Sequence, residues 1–195
     1  MNAIVLAGGL GIRLRPLTNK TPKPAIKVGG KPIIRHVLDW LEDVGFDDIL
    51  VKLHYMPDKI LEAIGNDKYV KPIIERKLTP TAYFLKKHKK DLEDEFLVTN
   101  GDTISHLELA EFIEFHMVKP NLATVFTHHD ALHTGGTYIF DKEILNYVKK
   151  DMDILHLMAV LVEADIPINL YFSDAQYFDT ADLAKLQKAR DFYEK

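Results

Sequence analysis

Short apolar runs alternate with amphipathic segments along nearly the whole of this 195-residue chain, and that alternation restricts the fold more than any other feature. Parallel strands need long crossovers, usually helical, so strand–helix alternation predicts a parallel, doubly wound sheet. The strands are expected at 2–6, 48–53, 72–75, 96–99, 122–127, 137–140 and 168–172. A helix is expected from Pro32 to Gly45, with Ile33, Ile34, Val37, Leu38 and Leu41 on one face. A second runs from Pro57 to Ile64 and is stopped by Gly65-Asn66. Further helices are expected at 83–92, 142–149, 153–164 and from about Thr180. Another follows residue 102, with Leu107, Leu109, Phe112, Ile113 and Met117 marking its apolar side. There is no internal repeat, low-complexity segment or composition break, so residues 1–195 read as one domain.

Composition then excludes whole classes. With 47% hydrophobic and 28% charged residues, this is the make-up of an ordinary globular protein. No apolar run reaches the roughly 18 residues of a membrane span, and the N-terminal apolar stretch is too short for a signal sequence. The absence of cysteine removes disulfides, thiolate metal sites and cysteine nucleophiles, and agrees with a cytoplasmic location. A net charge of −4 argues against nucleic acid or an anionic membrane as partner. The charge is unevenly placed, however. Seven basic residues, Arg13, Arg15, Lys20, Lys23, Lys27, Lys31 and Arg35, precede the first acidic one, Asp39. A local positive field on an acidic body suits a small polyanion.

In a doubly wound sheet, ligands sit beyond the carboxyl ends of the strands. Three segments fall there: residues 8–23, 100–102 and the neighbourhood of Asp179. The first, Gly8-Gly9-Leu10-Gly11-Ile12-Arg13, is neither a dinucleotide fingerprint, since Leu14 stands where a third glycine belongs, nor a Walker A loop. It offers unobstructed backbone N–H groups for a phosphate chain. Arg13 adds a planar fork and Lys23, between Pro22 and Pro24, a compact charge. Asn100-Gly101-Asp102 reads either as a hairpin turn or as a strand end that delivers a magnesium ligand. Asp179 or Thr180 reads as the N-cap of the last helix, or Asp179 as a second carboxylate on the same metal. His128-His129-Asp130-Ala131-Leu132-His133 reads as a polar connector between strands, with no assigned role.

The stretch LAGGLGIRLRPLTNKTPKPAIKVGGKPII, residues 6–34, resembles the signature of the nucleotidyltransferases that activate sugar 1-phosphates. FLVTNGDT (96–103), TGGTYIFDKEIL (134–145) and YFDTADL (177–183) continue the likeness in order along the chain. It is most similar to short heptose- or mannose-1-phosphate guanylyltransferases and N-acetylmuramate-1-phosphate uridylyltransferases. The resemblance implies an α/β, single-domain, Rossmann-like three-layer sandwich with a mostly parallel, mixed central sheet. It implies NMP transfer from an NTP (GTP, UTP or CTP) to a small phosphorylated acceptor, with release of pyrophosphate. The product is an activated precursor for cell-surface glycan. Carried over residue by residue, Leu6, Ala7, Gly8, Gly9 and Gly11 hold the nucleotide, with Asn100 and Gly101 beside it. Arg13 takes the β- and γ-phosphates, and Lys23 stabilises charge at the α-phosphorus. Asp102 and Asp179 hold Mg2+, while Asn100 and Gly136 meet the substrate.

The departures share a direction. Ile12 replaces a small hydroxyl residue, and Leu78-Thr79-Pro80-Thr81-Ala82 lacks the glycines of the family's second loop. The segment before Thr134 is shortened and lacks the Glu-Lys pair that contacts the sugar, and Thr134 stands for an asparagine. One reading is an active transferase with a small or unusual acceptor. The alternative is a nucleotide-binding regulatory or structural subunit without turnover. The survival of Arg13, Lys23, Asp102 and Asp179 together favours the enzyme.

Overall fold

The structure is a computed structural model that describes residues 1–129 and 134–194. In chain order its strands are β1 (Asn2–Leu6), β2 (Lys27–Val28), β3 (Lys31–Pro32), β4 (Ile49–Leu53), β5 (Val70–Ile74) and β6 (Glu95–Asn100). They continue as β7 (Thr103–Ser105), β8 (Ala123–His128), β9 (Thr134–Asp141), β10 (Asn169–Ser173) and β11 (Tyr177–Asp179). The helices are α1 (Ile33–Glu42), α2 (Pro57–Ile64), α3 (Thr81–Lys87), α4 (Leu109–Val118), α5 (Ile154–Glu163) and α6 (Leu183–Tyr193).

Seven strands form the central sheet in the order β10-β8-β9-β6-β1-β4-β5. All its neighbouring pairs are parallel except those of β9, which runs antiparallel to both β6 and β8. Strand–helix alternation alone pointed to a parallel sheet; the mostly parallel, mixed sheet implied by the resemblance is what forms. The reason is chain length. Residues 129–133 are too few for a crossover, so β9 can only turn back beside β8. Pro72 is tolerated because β5 is an edge strand, where a missing N–H breaks no ladder.

Strand alternation sorts the core onto two faces. Ile4, Phe96, Val98 and Phe140 face a layer with α3 and α5, packing with Phe84 and Leu157. Ala3, Val5, Leu97 and Ile139 face α1, α2 and α4 through Leu38, Ile60 and Phe112. A third, smaller core joins Leu14, Ile26, Val28 and Ile33 to Ile104, Phe178, Leu186 and Ala189. It glues the loop after β1 to α6 and to the two-stranded ribbon β7–β11.

All five expected apolar residues of α1 are buried, and α2 ends at Gly65, whose φ of +73° suits glycine. Other boundaries are corrected. Residues 142–147 form a 3-10 segment capped by Asp141 instead of an α-helix, because Val148 returns to extended backbone after too few residues to sustain one. On α4, Met117 is 58% exposed, whereas His116 is fully buried. The histidine is tolerated there because its ring nitrogens bond Thr124 Oγ1 (2.7 Å) and Glu95 (3.3 Å). Helix α3 starts at Thr81, whose hydroxyl accepts from the Ile154 N–H, and ends at Lys87.

Part of the early positive charge is spent within the fold. Lys31 pairs with Asp39, and Arg35 with Asp39, Glu42 and Asp67. Burial raises the pKa of Asp39 and Asp67, but hydrogen bonds from Lys31 and Arg35 outweigh it and leave both below the usual carboxylate range. Glu42 is shifted the other way, burial being helped by a hydrogen bond with Asp67. Carboxylates held low in the native state bind protons first when unfolded, so acid favours unfolding. Stability is expected to be full above about pH 5 and to fall below about pH 4. Urea midpoints measured across that range test this; the pH dependence should flatten in Arg35→Met.

Candidate active site

The loop that follows β1 is rigid for local reasons. Gly11 has φ +61° and ψ 31°, and a Cβ there would lie 2.9 Å from Thr18 Cγ2. Thr18 is fully buried and donates its hydroxyl to the Gly11 carbonyl at 2.8 Å. Three one-turn 3-10 segments, at 12–14, 17–19 and 23–25, wind the chain back toward the sheet. Leu14 and Pro24 are buried in the turns, leaving Arg13 exposed on the wall of a cavity of about 570 Å3.

Lys23 ends this path as a buried cation, 7% exposed. Its Nζ lies 2.7 Å from Asp102 Oδ2 and 3.9 Å from Asp179 Oδ1. The two carboxylates reach it by different routes. Asp102 follows β6, and its carbonyl accepts from the Thr180 hydroxyl at 2.8 Å. Asp179 closes β11, where it stands opposite Thr103 of β7. The antiparallel ribbon thus brings together two acids 77 positions apart by number. Asp179 also accepts from Lys185 Nζ at 2.8 Å, and that hydrogen bond raises the lysine's pKa. The N-cap of α6 is Asp182, which accepts from the Lys185 N–H. The capping reading of Asp179 and Thr180 is therefore overturned, as is the hairpin reading of Asn100-Gly101-Asp102, since β7 pairs with β11 and not with β6.

The structure brings most of the predicted residues to one cleft with two lobes. Leu6, Ala7, Gly9 and Gly11 line the 570 Å3 lobe, and Asn100 and Gly136 line a second of about 880 Å3. Leu6, Arg13, Lys23 and Asp102 line both. Asn100 and Gly136 are matched: Gly136 has φ +76°, and a Cβ on it would lie 2.5 Å from Asn100 Nδ2. Gly8 and Gly101 line neither lobe. Gly8 is buried against His54, and Gly101 packs where a Cβ would meet Ala7 Cβ at 2.8 Å. They let β1, β4 and β6 approach behind the loop.

The altered segment 78–82 also lies at the smaller lobe, through Leu78. Ile12, 59% exposed, lines the same lobe, so this wall is apolar. The segment is tied down from beneath by Glu75 and Lys52, both buried, with Nζ and Oε2 3.4 Å apart. Glu75 accepts from the Thr79 hydroxyl, and Lys52 donates to the Thr79 carbonyl. Burial pushes the Lys52 pKa down despite the carboxylate beside it. Burial also raises the pKa of Glu75, but bonds from Thr79 and the charge of Lys52 outweigh it and hold the group low.

Sequence reasoning passed over Thr18, Lys52 and Lys185, since isolated polar residues carry no periodic or motif signal. Within the histidine segment, His129 Nδ1 bonds Asp174 at 2.9 Å, while Asp130 and His133 lie outside the described residues. Among the described residues no group of three or more His, Asp or Glu could hold a metal ion. None of the helices described there is long and apolar enough to cross a membrane.

The model of the nucleotidyl transferase family matches residues 2–135, more than half of the chain. The chain belongs to that family. The chain is 38% identical over 173 residues to the bifunctional protein GlmU of Methanocaldococcus jannaschii, covering 77% of this chain and 42% of the relative. It is 34% identical over 156 residues to a probable mannose-1-phosphate guanylyltransferase of Oryza sativa subsp. japonica, covering 73% and 42%. The chain thus spans under half the length of these curated relatives. Among solved structures, HddC from Yersinia pseudotuberculosis superposes with a TM-score of 0.82 at 26% identity, over 98% of this chain and 99% of HddC. A second HddC structure, with the same TM-score, is complexed with GMP-PN.

Proposed function

We propose that this nucleotidyl transferase moves an NMP unit from an NTP to a sugar 1-phosphate or similar small phosphate, releasing pyrophosphate, in the cytoplasm. The observation that carries the reading is the convergence of Lys23, Asp102 and Asp179 where the two lobes meet. The smaller lobe takes the nucleotide. Backbone N–H groups from Gly9 to Gly11 lie against its phosphates, and Arg13 pairs with the β- and γ-phosphates. The larger lobe takes the acceptor, beside Asn100 and Gly136.

An acceptor phosphate oxygen forms a bond to the α-phosphorus as the bond from that phosphorus to the pyrophosphate oxygen breaks. Lys23 holds positive charge beside the α-phosphate as negative charge builds there. The reaction needs positioning and cationic donors more than a covalent nucleophile. Asp102 and Asp179 fit Mg2+, because both present carboxylate oxygens to the same Lys23 ammonium, and magnesium typically takes one or two carboxylates together with substrate phosphates. When bound, it supplies charge neutralisation and orientation at the phosphates.

GTP is the first nucleotide to try, supported by the guanylyltransferase relative and the GMP-PN complex of HddC. The test crosses GTP, UTP, CTP and ATP with a set of sugar 1-phosphates and with phosphocholine, following pyrophosphate release. One pairing should turn over with magnesium and stop when it is chelated. Nucleotide binding without turnover across the whole set would support the regulatory alternative. Asp102→Asn and Asp179→Asn should each raise the magnesium concentration for half-maximal rate by about tenfold or more. A change in Asp179→Asn confined to melting temperature would remove it from the metal site.

A further inference from the structure

We infer that Lys185 is the binding group for the acceptor's phosphate monoester, a role that rests on the proposed assignment of the larger lobe to the acceptor. The two lobes share Arg13 and Lys23, and among the described residues the smaller lobe has no other cation on its wall. A triphosphate engages both. Among the described residues, the larger lobe has one basic side chain of its own, Lys185, and its acidic groups are Asp102, Asp153 and Asp179. A phosphate monoester entering there brings about two negative charges toward three carboxylates and a second polyanion. Without a local cation that approach is repulsive, and Lys185 is the cation in place.

Its placement is that of a built feature. The Lys185 N–H bonds the Asp182 cap at 2.9 Å, which sets the residue in the first turn of α6. Leu186 and Ala189 bury the helix against the ribbon, so the stem of Lys185 rises beside β11. In this state its Nζ rests on Asp179 Oδ2 at 2.8 Å while Lys23 lies on the Oδ1 side. The side chain is half exposed, and its four-carbon stem carries a rotatable ammonium. It can leave Asp179 for a phosphate oxygen without any backbone movement. Once Asp179 is engaged as a metal ligand, Lys185 loses the better part of its anionic partner and the phosphate becomes its replacement. Asn100, Thr134 and Tyr177 on the same wall are neutral and suit the hydroxyls of a small polyol body.

The test uses the full chain and three variants: Lys185→Ala, Lys185→Arg and Lys188→Ala, the last an exposed lysine one turn on that lies outside the cleft's two lobes. Binding of mannose 1-phosphate and of inorganic phosphate is measured by calorimetry with magnesium present, independently of turnover. Lys185→Ala should weaken both by about tenfold or more, Lys185→Arg should restore most of the loss, and Lys188→Ala should match the parent. In steady state the acceptor KM should rise with the nucleotide KM nearly unchanged. Undiminished phosphate binding in Lys185→Ala, or equal losses of nucleotide and acceptor affinity, would overturn the inference. So would failure of the parent protein to bind either phosphate. If phosphate binding depends on Lys185 while no NTP turns over in the full nucleotide and acceptor panel, the transferase reading fails and the anion site stands.

Discussion

Replacing Lys23 with alanine is expected to lower kcat by about 10²- to 10³-fold, with nucleotide affinity changed far less. The asymmetry follows from where the ammonium lies. In the proposed complex Arg13 and the glycine-loop N–H groups would contact the ground-state triphosphate, whereas Lys23 sits deeper, 2.7 Å from Asp102 and where the two lobes meet. Its interaction strengthens as charge accumulates at the transferred phosphorus. An arginine there should not rescue, because Pro22 and Pro24 hold the backbone while a longer planar fork needs a different approach. Steady-state rates together with equilibrium nucleotide binding check this. Equal losses in the two would make Lys23 a ground-state binding group.

Lys52→Met is expected to give the largest loss of stability, about 3–5 kcal/mol by urea denaturation. Lys52 lies mid-strand in β4 with its side chain 2% exposed, over the Phe84 ring and against Glu75, also 2% exposed. Removing the cation leaves the Glu75 carboxylate buried with Thr79 and the half-exposed Lys87 as its remaining partners. The double variant Lys52→Met/Glu75→Gln should recover a good part of the loss, since no uncompensated charge stays inside. Losses that simply add would show that the pair is uncoupled. Because Thr79 is tied to both residues, the single variant should also loosen Leu78 and raise the nucleotide KM.

The parts of the fold that the sequence made legible are those set by local period. The stripe Ile33, Ile34, Val37, Leu38, Leu41 could serve only a helix face, and Asn2–Leu6 followed by glycines only a strand opening into a loop. The orientation of β9 was also written in the chain, in the brevity of residues 129–133, but strand–helix alternation elsewhere masked it. The ribbon β7–β11 was not legible. Its strands are three residues each, too short for a period, and their pairing is a long-range event. For the same reason the last helix was expected two or three residues early, with Asp179 or Thr180 as its cap. His116 took a core position that apolar patterning gave to Met117, because Thr124 and Glu95 satisfy its ring from other strands. At the cleft, motif likeness and backbone logic pointed to Arg13, Lys23, Asp102 and Asp179, and the structure brings these four side chains together. Lys185 and Lys52 were not, since each acts through a partner that is distant in sequence or delivered by the ribbon.

That ribbon has a consequence for how the protein comes into being. Lys23 is set by the first loop and Asp179 by β11, so the cleft closes a loop that takes in most of the described chain, and closing long loops is what slows folding. A chain whose central sheet has paired but whose ribbon has not yet zipped would hold most of its helices and strands and still lack a second carboxylate. In such a molecule Lys23 would face Asp102 without Asp179, and the second carboxylate would be delivered only when the ribbon pairs.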